Sequence, residues 1–304
     1  MKPLSLQSVP VRTLRCAIMA AIMLSCVTAC GPQDGDANRP PQRVVSVSKQ
    51  INEFMYDIGA EDVIVARDLT SVYPSEITEK PSVGYHRALS AEGIISMRPT
   101  LFLTDGNVGP DAVLEQLRAV GIPILTLEPG RTVESAQNLL ARLGEEFHHE
   151  HEADSVMAAW RTAMGSVAED SARWAEDSTP RPRVLLMHFG QIANNYLAIK
   201  RGSIGDRVLM WAGGVNAIDS TGGMMRLTPE LIAKAAPDVI IATDVGFDRV
   251  GSAEEFAQMP GVALTPAARS GRVYRIDESE IMYFSPRTPA AVRHMAELIH
   301  GSGR

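Results

Sequence analysis

Apolar runs of strand length alternate with helix-period segments over most of the chain. "RVVSVS" at 43–48 is β-branched and strand-like, and the helical pattern "QINEFMYDIGA" that follows stops at Gly59. "VIVA" comes next, then a polar loop, "RDLTSVYPSEITEKPSVGYHR". A helix from about Ala91 to Met97 leads to the strand "TLFLT", the helix "PDAVLEQLRAVG" and the strand "PILTL". Strands too apolar to lie half exposed, alternating with helices, predict an α/β layer on a parallel sheet. From Ser135 to Asp177 the strand pattern disappears. "VESAQNLLARLGEEF" reads as one helix, and "EHEADSVMAAWRTAMGSVAEDSARWAED" as a second of about seven turns. "TPRPR" ends it, and a strand "VLLMHF" begins at Val184.

The second half then repeats the first. "SAEGIISMRPTLFLTD" aligns without a gap to "TPELIAKAAPDVIIATD", setting Ser90 over Thr228, Glu92 over Glu230 and Pro99 over Pro237. Each is an N-capped helix that a proline stops ahead of a strand. "VGIPILTL" and "PGVALTPA" follow the two copies after a similar interval. The predicted fold is α/β, with two similar lobes at 42–150 and 180–304 joined by a single long helix within 151–179.

The first 30 residues are different in kind. Lys2, Arg12 and Arg15 precede the apolar run "CAIMAAIMLSCVTAC", which has signal-peptide length and is too short for a comfortable membrane span. Small residues just before Cys30 resemble a bacterial lipoprotein box, so the 1–30 signal segment is expected to be cut immediately before Cys30, leaving Cys30 to carry a lipid anchor. The alternative is an ordinary secretory signal cut elsewhere. Residues 31–41, "GPQDGDANRPP", read as a tether. Cys16, Cys26 and Cys30 all fall in the signal, so the mature domain has no cysteine for a disulfide, a thiolate metal site or a nucleophile. With 45% hydrophobic residues a packed core is available, and the net charge of −7 argues against a nucleic-acid partner.

Three ligand-capable side chains share one short loop in "VGYHRALSAEGIISMRPT": Tyr85, His86 and Arg87. This stretch is similar to the motif V-G-Y-x-R-x-L-x-A-E-G of the haem-binding subfamily among ABC-importer binding proteins for cobalamin, siderophores and haem. "DLTSVYP", "WAGGVNAI" and "SPRTPAA" also resemble segments of that family, and together they cover most of residues 43–300. The resemblance implies an extracytoplasmic, membrane-anchored protein that holds haem in a cleft between its lobes and passes it to an importer permease. It places Tyr85 on the haem iron. A phenolate is a hard anionic oxygen suited to ferric iron, and Arg87 is the local charge that would favour the anion. From residue types alone, a loop tyrosine reads first as packing over a helix end, and the motif reverses that reading. Adjacent residues on an extended loop point apart, so His86 is expected to face away from Tyr85.

His188 ends the strand that opens the second lobe, where some family members supply a second axial ligand. A histidine satisfied by backbone at a strand end is the alternative. Tyr196 is a further cleft-lining candidate. The haem propionates need cations, for which Arg67, Lys49, Arg201 and Arg287 are candidates, with Arg287 best supported by the resemblance. Glu92 and Glu230 match the family's docking glutamates, one per lobe, although helix capping alone would also put carboxylates there. "HHEHE" at 148–152, which includes His148 to His151, has zinc or nickel ligand chemistry, but five adjacent residues at a helix start do not converge as i and i+4 ligands do. A cobalamin or ferric-siderophore carrier and a zinc or nickel carrier are the competing readings. An enzyme is the least supported, because neither a phosphate loop nor a Ser-His-Asp set is recognisable.

Overall fold

The computed structural model describes residues 42–189 and 196–301, so Cys30, the expected signal peptide and the tether lie outside the described residues. The first half contains β1 (Val44–Val47), α1 (Lys49–Asp57), β2 (Ile64–Arg67), α2 (Ala91–Ser96), β3 (Leu101–Thr104), α3 (Asp111–Ala119), β4 (Ile124–Thr126) and α4 (Val133–Phe147). Its strands form a parallel sheet of order β2-β1-β3-β4. The long helix α5 runs over Glu150–Glu176. The second half contains β5 (Arg183–Phe189), β6 (Tyr196–Ile199), α6 (Ile204–Trp211), β7 (Val215–Asn216), β8 (Met224–Arg226), α7 (Pro229–Ala235) and β9 (Val239–Thr243). It continues with α8 (Asp244–Val250), α9 (Ala253–Ala257), α10 (Pro266–Arg269), β10 (Val273–Ile276), α11 (Ser279–Met282) and α12 (Thr288–His300).

The internal repeat is visible as matched topology. In each half the capped helix feeds a central strand, β3 or β9, which pairs in parallel with the half's first strand, β1 or β5. Ser90 and Thr228 cap α2 and α7 by accepting from the backbone N–H three residues on, at Gly93 and Leu231. Two features depart from the expected repeat. The second sheet, of order β10-β9-β5-β6-β8, is mixed, because β6 runs antiparallel to β5 and β8 antiparallel to β6. "PGVALTPA" forms no strand either: it makes a 3-10 turn at Val262–Leu264 and enters α10, and β10 lies beyond it. Pro266 at the first helical position fixes a helical φ and so favours α10 over strand there.

Two similar α/β lobes joined by one long helix therefore make up the described chain. Helix α5 buries a stripe of Ala153, Met157, Trp160 and Val167, spaced three, four and seven residues apart as one helix face requires. The Trp160 ring meets Phe54 of α1 edge-on at 6.2 Å, and Trp174 near the other end stacks on His300 of α12 at 3.9 Å. At the start of α5, a Cβ on Gly144 of α4 would lie 2.7 Å from that of Ala153, so the missing side chain lets the two helices close. One hydrophobic core takes in the inner faces of both sheets, with Val44 and Leu103 from the first and Val184, Leu186 and Ile241 from the second. Each outer face has its own cluster, around Phe102 in the first half and around Phe256 in the second.

Candidate functional site

The carboxyl ends of the first sheet's strands are tied together by side chains that leave them. Ser48, after β1, donates to Asp105, after β3, at 2.8 Å. After β2, Asp68 is almost fully buried and accepts from the Thr70 N–H at 2.9 Å and from the hydroxyls of Thr70 and Ser71. Burial alone would raise the Asp68 pKa, but hydrogen bonds from His86, Ser71 and Thr70 outweigh it and hold the carboxyl below its ordinary range. Asn52 of α1 donates to Ser71 at 2.8 Å, which fastens this loop to the helix.

The Tyr85 segment lies on that base. Leu69 N donates to Gly84 O at 2.8 Å, and Gly109 N to His86 O at 2.9 Å, so backbone bonds hold the loop from both sides. The segment is a turn, closed by Ala88 N to Tyr85 O at 2.7 Å and entered through Gly84 at φ 98°. Tyr85 and His86 consequently do not point apart: their ring centroids are 4.4 Å apart, tilted by 56°. The expected alternation fails because it belongs to extended backbone. His86 Nδ1 lies 3.7 Å from the Asp68 carboxylate and 3.4 Å from Thr70 Oγ1. Arg87 directs its guanidinium to the neutral Asn107 Oδ1 at 2.7 and 3.1 Å, and no carboxylate pairs with it among the described residues. Beside the loop, Leu69 and Val72 are more than half exposed, an apolar surface that sequence reading missed because both sit in a polar context.

The second sheet presents His188, Thr243 and Glu278 at its carboxyl edge. His188 Nδ1 is 3.3 Å from Thr243 Oγ1. Burial, helped by Lys49 and opposed by Glu278 and Asp244, pushes the His188 pKa below its usual value, so the imidazole is neutral at pH 7 with a nitrogen lone pair for a metal. Tyr196 packs edge-on against Phe189 at 5.0 Å. His188 and Tyr196 thus flank residues 190–195, which lie outside the described residues.

Helix α1 brings the two edges together. Lys49 pairs with Glu278 at 2.5 Å, and Gln50 donates to Phe284 O at 2.8 Å. Glu53 is fully buried and accepts both arms of Arg287, at 2.7 and 2.8 Å, together with Tyr283 Oη at 2.8 Å. The Arg287 guanidinium also lies 3.5 Å from the centre of the Tyr73 ring. These partners are more than 200 positions apart, and nothing in the local pattern could have paired them.

That geometry gives each of the propionate candidates a partner within the protein. Arg287 is a lobe-to-lobe tie. Arg67, 9% exposed, donates to the carbonyls of Ile77, Asp68, Leu69 and Thr78 and so braces the loop. Lys49 is paired with Glu278, and Arg201 with Asp219 at 2.8 Å. The histidine run does not converge. His148 is the left-handed cap of α4, His149 lies 3.8 Å from Glu152, and no group of three ligands able to hold a metal occurs among the described residues. Glu92 and Glu230 are both exposed in the first turns of α2 and α7. Hydrogen bonds from the Thr228 side chain and the backbone hold the Glu230 carboxyl below its usual pKa, so it is charged at neutral pH. A cavity of about 340 Å³, lined by Arg272, Tyr274 and His300 among others, opens at the amino-terminal edge of the second sheet, away from these groups.

Known proteins resemble this chain in sequence and in overall fold. The ABC transporter substrate-binding lipoprotein YvrC of Bacillus subtilis is 24% identical over 279 residues, 88% of this chain and 83% of that protein. The vitamin B12-binding protein of Photorhabdus laumondii is 31% identical over 145 residues, 48% of this chain and 51% of that protein. The apo periplasmic haem-binding protein RhuT from Roseiflexus sp. RS-1 superposes with a TM-score of 0.77 at 27% identity, covering 86% of this chain and 98% of that one. A periplasmic haem-binding protein from Pseudomonas aeruginosa gives 0.77 at 28% identity, covering 87% and 95%. The family model described as periplasmic binding protein matches residues 44–280, from β1 into α11. On that match the chain belongs to the periplasmic binding protein family, and it is an extracytoplasmic substrate-binding transport protein of the haem, B12 and siderophore class.

Proposed function

We propose that the chain captures haem between the carboxyl-terminal edges of its two sheets and delivers it to the permease of an ABC importer. Tyr85 is the iron ligand and His188 the second ligand from the facing lobe, while Tyr196, packed on Phe189 on the other face of the sheet, borders the cleft only at the strand end. The observation that carries the reading is the Tyr85 turn: a tyrosine on a loop whose backbone is held from both sides, with Arg87, which meets only the neutral Asn107 among the described residues, two positions on and apolar Leu69 and Val72 beside it. This combination suits a flat apolar macrocycle with a hard ferric centre, since tyrosinate is an established haem ligand. Support also comes from the haem-binding names of the similar solved structures.

Relatives named for vitamin B12 make cobalamin the second reading. Titrating the purified protein with haemin and with cyanocobalamin separates the two. Haemin is expected to saturate at one porphyrin per Tyr85 site with a ferric-tyrosinate spectrum, and cobalamin to leave the protein's absorption additive. Saturable cobalamin binding without haemin binding would reverse the assignment.

Glu92 and Glu230 dock onto the permease, and a lipid on Cys30 holds the protein at the membrane. Two like charges, one per lobe, match a two-fold symmetric partner that straddles the cleft. Cellular uptake is the readout: Glu92→Ala with Glu230→Ala should lower haem uptake while haemin binding persists, and Cys30→Ser should move the protein to the soluble fraction. Undiminished uptake in the double variant would reduce the two glutamates to helix capping.

A further inference from the structure

Haem carries two carboxylates on one edge, yet the cations nearest the sheet edges already have partners. Lys49 is paired with Glu278, Arg201 with Asp219 and Arg287 with Glu53, and Arg67 is turned to backbone carbonyls. Drawing any of these to a ligand would strip a carboxylate or a loop of its donor. Arg87 keeps its charge, but it belongs to the Tyr85 loop of the first lobe. In the second lobe, Arg226 on β8 is exposed, and its side chain makes no ion pair, hydrogen bond or ring contact among the described residues.

Strand register says where Arg226 sits. His188 on β5 pairs with Leu197 on β6, and Leu197 pairs with Arg226 on β8. Residues directly opposite one another on neighbouring strands project from the same sheet face. His188, Leu197 and Arg226 therefore form one row, with Thr243 at its other end through the contact to His188. The alternate positions Met187, Ala198 and Met225 belong to the outer cluster, so the row lies on the inner face with Leu186 and Ile199. Met224, paired with Ile199 and 36% exposed, extends the apolar surface beside it. Two strand spacings put Arg226 about 10 Å from His188 along the row, the scale of the path from a porphyrin's centre to its acid edge.

An imidazole, an apolar step and an unpaired guanidinium in line complement a metal-centred disc with carboxylates on one rim. From this row we infer that Arg226 anchors the ligand's carboxylates in the second lobe. It thereby selects an acid-bearing macrocycle over an amide-bearing corrinoid. Guanidinium and carboxylate meet as a bidentate pair, and a cation with no prior partner makes that pair without breaking another. The assignment rests on the haem reading.

The test compares haemin with haemin dimethyl ester, in which both carboxylates are masked, on the full protein and its Arg226→Gln and Arg226→Lys variants. The unsubstituted protein should prefer haemin by about tenfold, the size of one charge-assisted contact. Arg226→Gln should abolish the preference. Arg226→Lys should keep part of it, and that part should shrink at high salt. Equal preference in Arg226→Gln and the unsubstituted protein overturns the Arg226 assignment and leaves the haem reading standing. A protein that binds neither porphyrin overturns both.

Discussion

Tyr85→Phe is expected to weaken haemin binding by at least about 100-fold, beyond the 10–100-fold typical of losing an outer-shell partner. The ferric-tyrosinate absorption should vanish with it. Phenylalanine is the informative replacement because it keeps the ring beside His86, 4.4 Å away, and removes only the oxygen. A packing role for Tyr85 would survive that change, whereas ligation would not. Since a phenolate stabilises ferric over ferrous iron, reducing the bound haem should also loosen it in the unsubstituted protein. Unchanged affinity and spectrum in Tyr85→Phe would remove the central assignment.

The second large effect is expected where the lobes are tied. Arg287→Met leaves Glu53 buried with only the Tyr283 hydroxyl for company. Breaking a buried ion pair from one side costs about 3–5 kcal/mol; with Arg287 27% exposed, about 2–4 is expected here. The melting temperature should fall by roughly 5–10 °C, and Glu53→Leu added to Arg287→Met should recover most of it. A single variant that melts like the unsubstituted protein would show the tie to be energetically idle.

The same network makes stability depend on pH. Asp57 lies one turn after Glu53, and burial, then the Glu53 charge, pushes its pKa from 3.8 up to about 7, with Arg287 opposing. Its folded-state pKa is thus above the unfolded one, so the folded chain keeps a proton that the unfolded chain releases. Stability from this group accordingly falls as pH rises from about 4 to about 7 and stays reduced above that. Asp57→Asn should flatten that slope and add a few kcal/mol at pH 8, which denaturant melts at pH 5 and pH 8 will read directly.

By itself the sequence determined the elements and their repetition. Ser90 and Thr228 cap matching helices, Pro99 and Pro237 precede matching strands, and the uninterrupted helical run from Glu150 to Asp177 marks α5, because caps, proline stops and helical pattern are local properties of the chain. The Tyr85 motif was equally local, being contiguous. Tertiary structure alone decided how those parts are used. Antiparallel β6 and β8 take the place of a parallel repeat, since strand direction depends on which neighbour completes the sheet and not on a strand's own composition. Arg287 and Arg67 looked like ligand cations, and Glu53 and the loop carbonyls claimed them. Arg226 stands in line with His188 only through the register of three strands. Tyr85 and His86 met because a turn replaced extended backbone. Charge partners hundreds of positions apart and side-chain direction at a turn are fixed when the chain closes on itself, and no window along the sequence contains them.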